Sequence, residues 1–428
     1  MRHPLLHLML RVSVIGNRLI SYLMVRLSVM MGVALLVMLL PSVSQWSETV
    51  NMIHPVVWWF TEGVTLILAF KLREKNINYS QLYCYLLIVF AAAVHGYFMA
   101  KCYWDWKLLV SNLMTFSLPL ISLVMVDIRK AETILGIWYK WIPVSIVILF
   151  LLGDEPHFYG RLMMPYSLLF IFLPILNKRT RLLCFFALAV VFIMARTDRS
   201  DTLRFTLAFL LGICCYKKYY KHFKKIIKPL AIVLLVSPFI LFGLAATGVF
   251  NILNIGEEMG WEYKYDVEGG HSKELFSDDR TFLYEEEIVS SIRHNYWLLG
   301  RSLARGYDSV FFGKQIKGDL KWNRTERQSC ETAILNIFNY MGIVGVVAFS
   351  CVIFSAVFRA VWQSNNKFIP VLGLYLAFRF FYSWLEEFQR FDTNYVLFWI
   401  IVGICYSQQF RSLSDQQLKY VIRRITNY

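Results

Sequence analysis

The sequence predicts an all-α polytopic membrane protein, and three observations predict it. Hydrophobic residues make up 57% of the chain and charged residues only 17%, which excludes both a water-soluble domain and a disordered chain. Twelve apolar stretches approach or reach the length needed to cross a bilayer as helices. The net charge of +15 is carried by short runs of Lys and Arg at the ends of those stretches. Such a distribution sets membrane topology and is not a basic face for nucleic acid.

The predicted spans are 19–41, 53–70, 81–100, 108–126, 135–152, 162–176, 180–194, 202–215, 229–249, 333–357, 368–385 and 393–408. Three domain regions follow: 1–249 with the first nine spans, a polar loop over 250–331, and 332–428 with the last three spans and a tail. The first stretch runs past Leu40 without a small-residue cleavage site, so it is expected to stay as a signal anchor. Spans six to eight are short and are expected to be tilted or irregular.

Basic clusters fall in alternate connections. Arg2, Arg11 and Arg18 precede the first span, and Lys71, Arg73 and Lys75 follow the second. Arg129 and Lys130 follow the fourth span, and Lys178, Arg179 and Arg181 the sixth. Lys217, Lys218, Lys221, Lys224 and Lys225 follow the eighth, Arg359 and Lys367 the tenth, and Arg411, Arg423 and Arg424 close the chain. All lie on one side if every segment spans. The positive-inside rule makes that side cytoplasmic, with both termini on it and the 250–331 loop outside.

One outer connection breaks the rule. Between spans seven and eight the chain reads Ala195-Arg196-Thr197-Asp198-Arg199-Ser200-Asp201-Thr202-Leu203-Arg204. Local pairing with Asp198 and Asp201 is one account of these arginines. An anionic ligand is the other, since guanidinium forks bind phosphate bidentately.

The 250–331 loop holds fifteen of the 29 acidic residues and eleven basic ones. Residues 257–279 read as irregular. Ser277 or Asp278 is placed to cap a helix, and Phe282, Val289, Ile292 and Tyr296 recur at helical spacing. Residues 280–298 are therefore expected to form an amphipathic helix lying on the membrane or on the bundle. Leu299-Gly300-Arg301-Ser302-Leu303-Ala304-Arg305-Gly306 then reads as a turn or a close approach to a ligand. It is no phosphate-binding loop, because the Lys-Ser/Thr ending is missing. The loop closes with Arg327-Gln328-Ser329-Cys330-Glu331, and Glu331 at the mouth of the tenth span is either a cap, an ion-pair partner or a general base. Arg379 and Glu386 are expected to pair inside the membrane. Cysteine spacing shows no metal pattern, and no cofactor is expected; a Cys102–Cys330 disulfide is left open.

The order of these features resembles one family. It combines an Arg-rich Ser/Asp outer turn opening a span with a long outer loop late in the chain. Within that loop come an Arg280-Thr281-x-x-Tyr284 helix and a Trp297-x-x-Gly300-Arg301 turn. Last comes a polar residue before Asn336-x-x-x-x-x-Gly342-x-x-Gly345. The chain resembles the O-antigen polymerase and ligase superfamily, the Wzy-like proteins, with the motifs concentrated in 195–205 and 280–345. The resemblance implies a GT-C-like helical fold and metal-independent glycosyl transfer in the bacterial cytoplasmic (inner) membrane. The implied donor is an undecaprenyl-pyrophosphate-linked oligosaccharide, and a chain-length regulator is a further expected partner. It carries pyrophosphate binding to Arg199 and Arg280, with Arg196, Arg204, Arg301 and Arg305 as helpers. Many members have His where this chain has Glu331, which then takes the role of base. Polymerisation of repeat units into O-antigen or capsular polysaccharide is the leading expectation. Ligation of the glycan to lipid A–core is one alternative. A lipid-linked oligosaccharide flippase is the other, though the long loop follows the ninth span, not the sixth.

Overall fold

A computed structural model describes residues 22–75, 79–153, 155–195, 199–246, 264–267, 271–274, 281–309, 312 and 324–427. The chain is an all-α bundle, and among the described residues six helices are long and apolar enough to cross a membrane. They are α1 (Tyr22–Trp46), α3 (Ser80–Met99), α4 (Tyr103–Met125), α5 (Ile128–Leu149), α9 (Lys217–Ala246) and α11 (Ala333–Trp362). Pro55–Leu72 forms α2 between the first two, opened by His54, whose ring Nδ1 accepts from Val56 N. The α4 helix runs Tyr103–Phe116 and resumes as Pro119–Met125 after a break at Ser117 and Leu118, where Pro119 starts the new turn. Its second part packs on α13 (Thr393–Tyr406) through Ser122 Oγ, which donates to Trp399 O at 2.6 Å.

The sixth predicted span, 162–176, is not one helix. Pro156–Met163 forms α6, a 3-10 turn follows over Met164–Tyr166, Ser167–Phe170 adds one helical turn, and residues 171–175 are turns. Pro165 and Pro174 remove backbone donors within this short stretch, so a continuous ladder cannot form. The segment survives because protein surrounds it: Phe170, Ile171, Phe172 and Leu173 are buried. Then come α7 (Lys178–Met194), α8 (Arg199–Cys214) and α9 (Lys217–Ala246). Two shorter apolar helices, α12 (Phe368–Tyr382) and α13 (Thr393–Tyr406), pack centrally beside α11 (Ala333–Trp362), with both nearly all buried.

In the polar loop, 257–279 is not wholly irregular, because Lys264–Val267 (β1) pairs antiparallel with His271–Glu274 (β2). Tyr265 and Val267 alternating with charged residues are the strand signal that composition obscured. The expected 280–298 helix is α10 (Thr281–Arg293). It stops early because Asn295 takes φ 54°, and Tyr296 N turns back to the Ser291 carbonyl at 3.0 Å. A short pair, β3 (Tyr307–Asp308) with β4 (Glu326–Arg327), ties the loop's two arms together.

Among the described residues, the basic connections after the second, fourth and tenth predicted spans and the last basic run meet at one end. Glu74 N donates to Leu123 O, Lys130 Nζ to Leu72 O, and Arg411 to Gln363. A last amphipathic helix, α14 (Asp415–Thr426), closes this end, burying Leu418, Val421, Ile422 and Ile425 against α5 and its neighbours. A reciprocal cap between Ser414 and Gln417 starts it, and Arg423 Nε donates to Ile175 O at 3.0 Å. The tail expected after the last span is thus a structural element. The described residues 281–309 and 324–331 of the loop lie at the other end of the bundle.

Candidate functional site

Two polar clusters occupy the loop end. The first sits among the ends of α6, α8, α12 and α13. Arg161 of α6 reaches Asp201 (3.6 Å) and Asp392 (3.2 Å), and stacks over the Trp46 ring. Arg204 pairs with Asp201 at 2.9 Å and donates to the Ser200 carbonyl. Asp392 is fixed because its other oxygen caps α13 by accepting from Tyr395 N at 2.8 Å. Asp201 and Arg204 are essentially excluded from solvent, so each charge depends on its partner. Behind them lies Arg379, 1% exposed. It does not pair with Glu386 as expected; it donates to Asn394 Oδ1 at 2.9 Å and lies over the rings of Phe388 and Phe398. After Tyr382 the chain continues in tight turns, with Glu386 N donating to Tyr382 O, and the Glu386 carbonyl accepts from Ala333 N at the start of α11.

The second cluster organises the returning loop. Arg305 forks onto Glu326, with Nε to Oε2 at 2.8 Å, and the Glu326 hydrogen bond holds the guanidinium above its ordinary range. Arg301 spans Asp308 (2.9 Å) and Glu326 (3.3 Å), and also donates to the Gly306 carbonyl. Arg324 joins Glu326 to Asp105 at the start of α4, 2.9 Å from the latter. Burial would raise the Asp308 carboxyl, but Arg301 and then His294 hold it below the usual carboxylate range. Arg301 and Arg305 are therefore saturated by carboxylates, and in this arrangement they shape the loop.

Between the clusters stands the α10 face. Glu287 is fully buried with neither carboxylate oxygen hydrogen-bonded, and burial pushes it well above the ordinary carboxyl range against a partial pull from Arg327. Next to it, burial pushes the Cys330 thiol up to about 12, so it stays protonated. Cys330 and Cys102 are both free thiols, so the disulfide left open does not form. Asn336 brackets Cys330, accepting from its N–H at 2.7 Å and donating to its carbonyl at 2.9 Å. The same side chain donates to Glu387 at 3.4 Å, and Glu387 pairs with Arg390 at 3.0 Å. A polar belt thus runs from α10 across the mouth of α11 to the first cluster.

The expected site residues divide. Arg199 is exposed at the first residue of α8. Glu331 is half exposed and pairs with Arg327 at 2.8 Å. It does not cap α11, because Thr332 is the cap residue and Glu331 projects towards Arg327. Arg204 is the local pairing partner of Asp201 that the sequence allowed, and its guanidinium is inward. Arg196 and Arg280 lie outside the described residues. Reading the sequence missed Arg161, Asp392, Asp105, Glu326 and Glu287. Asp392 before Thr393 carries a helix-cap signal, and Arg161 is another basic residue in a connection that alternation puts outside. Glu287 carried no signal beyond membership of an acidic run.

The two motif halves in 297–345 meet. Gly342 breaks α11 with φ 62° and ψ −164°. The amides this frees are taken by the turn: Ile343 N donates to Trp297 O (3.0 Å) and Val344 N to Leu298 O (3.3 Å). In return Arg301 N donates to Asn339 O at 2.6 Å. A broken membrane helix is tolerated when neighbouring backbone satisfies it, and here the Trp-Leu-Leu-Gly-Arg turn does so. A Cβ on Gly342 would fall 2.2 Å from Leu298 O, and one on Gly300 2.3 Å from Met341 N. No family model, curated protein or solved structure matches this chain.

Proposed function

We propose that the chain is a metal-independent glycosyltransferase that polymerises undecaprenyl-pyrophosphate-linked repeat units at the outer face of the bacterial cytoplasmic membrane. In this reading all twelve segments cross or enter the bilayer in a GT-C-like arrangement. Both termini are cytoplasmic, and the product is O-antigen or capsular polysaccharide. One observation carries it: the end of the bundle remote from the basic loops holds a belt of arginines and carboxylates beneath a helix of the polar loop. Ionisable groups at membrane depth are costly and are kept for a task.

The chemistry assigned to these groups is a single displacement. The acceptor hydroxyl oxygen attacks the anomeric carbon, and its proton passes to the Glu331 carboxylate. The bond from that carbon to the pyrophosphate oxygen breaks, and undecaprenyl pyrophosphate leaves with the electron pair. Arg199 and Arg280 stabilise the charge it carries. Arg301 and Arg305, committed to Glu326 and Asp308, hold the loop that presents Glu331. Arg204 and Arg161 support Arg199 by ordering the start of α8 around Asp201.

The test is transfer from purified lipid-linked oligosaccharide in nanodiscs, with EDTA present. Glu331→Gln is expected to lose at least a hundredfold in rate, the range general-base catalysis supplies, with donor binding kept. Arg199→Lys and Arg280→Lys lose polymer while still reaching the membrane, since an ammonium cannot fork onto pyrophosphate. Full activity in folded Glu331→Gln removes it as the base, and activity only with a divalent metal overturns the mechanism. Glycan banding of a deletion strain separates the products: one repeat on the core marks a lost polymerase, no attached repeat a lost ligase.

A further inference from the structure

The α10 helix is inside out for a helix in water. Among its described side chains, the face towards the protein carries Glu287, Ser290 and Ser291, all buried, with Leu283 the one buried apolar residue and Tyr284 packed partly against the core. Its outward face shows Val289 and Ile292, 45% and 67% exposed. The turn after it continues the apolar surface with Trp297, Leu298 and Leu299, the last 66% exposed. Glu285 at one end and Arg293 and His294 at the other bound this surface with charge. Bare apolar surface of this kind on a loop surrounded by water would be a liability.

The backbone shows what covers it. Trp297 and Leu298 are bonded to the amides of Ile343 and Val344 in the middle of α11. Ile343 and Val347 are themselves outward-facing, 44% and 54% exposed, on a helix long and apolar enough to span. The exposed row on the loop is therefore continuous with the face that a spanning helix turns to lipid. Nothing in the geometry allows the turn to stand away from that face, because the bonds at Gly342 hold it there.

We infer that Val289, Ile292 and Trp297–Leu299 are immersed in the bilayer leaflet at the loop end, with phospholipid chains covering them. The polar loop is then held from two sides. Its polar face docks on the belt through Glu287 and Ser290, whose hydroxyl accepts from Asp308 N at 3.0 Å, and its apolar face sits in lipid. Tryptophan at such a boundary matches its preference for the interface, where an apolar ring and a polar N–H are both accommodated. The inference stands whether or not the chain transfers sugars, because it concerns the covering of the loop and not its chemistry.

The test uses the full chain in nanodiscs made only of phosphatidylcholine and phosphatidylglycerol. The photoreactive residue p-benzoylphenylalanine is placed singly at Leu298, Leu299, Ile343 or Glu331, and adducts are read by mass spectrometry. Positions 298 and 299 are expected to give phospholipid adducts within about threefold of position 343, and at least tenfold more than position 331. Adducts at 298 and 299 no more frequent than at 331 overturn the inference. So do adducts that appear only after undecaprenyl phosphate is added, which would make the surface a site for a polyprenyl tail. Position 343 is the lipid-facing reference; a turn variant that fails to elute as a monodisperse protein is replaced by the other of the two turn positions.

Discussion

Arg199 and Arg204 belong to the same two turns of α8, yet their surroundings separate them. Arg204 is 1% exposed and neutralised by Asp201, so an arriving phosphate would have to displace a buried carboxylate. Arg199 faces outward at the helix start, where the dipole also favours an anion. Glu287 makes the converse point for carboxylates. Its environment comprises Arg327, Cys330, Tyr307, Tyr296 and Tyr340, and burial dominates. The neutral form is the one that fits. Below the ordinary value of 4.5 the carboxyl is protonated both folded and unfolded, and its contribution is fully present. As pH rises past that value the unfolded form ionises first, so stability is lost progressively up to the raised folded value. Glu287→Gln is expected to melt higher than the parent at pH 8 and equally at pH 4, by tryptophan fluorescence in detergent. An unchanged difference across that range would mean that the carboxyl titrates alike in the folded and unfolded chain, so that burial does not hold it protonated. The acidic character of this stretch was legible in the sequence, but which of Glu285, Glu286 and Glu287 turns inward was not. That choice depends on how α10 is rotated against Tyr307 and Cys330.

At the scale of elements, the informative unit is a turn and a break that complete each other. The Trp297–Arg301 turn supplies carbonyls to the amides that Gly342 frees, and both glycines sit at positive φ. Side chains pay about 1–2 kcal/mol for such a backbone, before the contact with facing backbone is counted. Gly342→Ala and Gly300→Ala are each expected to lower the melting midpoint markedly and to lose any activity of the loop end. Gly63→Ala is the control: nothing lies within 4 Å of its Cβ, and in the interior of α2 the change is worth up to about 1 kcal/mol in the stabilising direction. A melting midpoint for Gly342→Ala equal to the parent would mean that the interlock is not rigid. Both motif halves were visible as spacing patterns. Their mating was not, because glycine spacing reports that a backbone needs freedom and not which backbone approaches it. The broken sixth span shows the same limit. Its prolines were readable, but only burial of 168–173 explains how turns persist at that depth.

For the whole molecule, the charge pattern and the packing of the described residues agree on which of their connections share an end. Orientation in the membrane is a separate matter and rests on the positive-inside rule. Glu285 and Ser414 are exposed at opposite ends of the molecule and suit a labelling test. In intact spheroplasts an impermeant maleimide is expected to label Glu285→Cys and to spare Ser414→Cys. Labelling of position 414 alone would reverse the assignment.

Composition and charge alternation by themselves determined the membrane class, the number of apolar stretches, the grouping of the basic loops and the polar loop before α11. These properties are local or additive along the chain, so each residue contributes to them without reference to distant ones. Only the tertiary structure decided that Arg301 and Arg305 are bound by carboxylates, that Asp392 and Arg161 complete the Asp201 cluster, and that α10 turns its polar face inward. Each of those depends on residues far apart in sequence meeting where little water remains. There a charge is stable only with its partner, and no pattern along one segment specifies that partner.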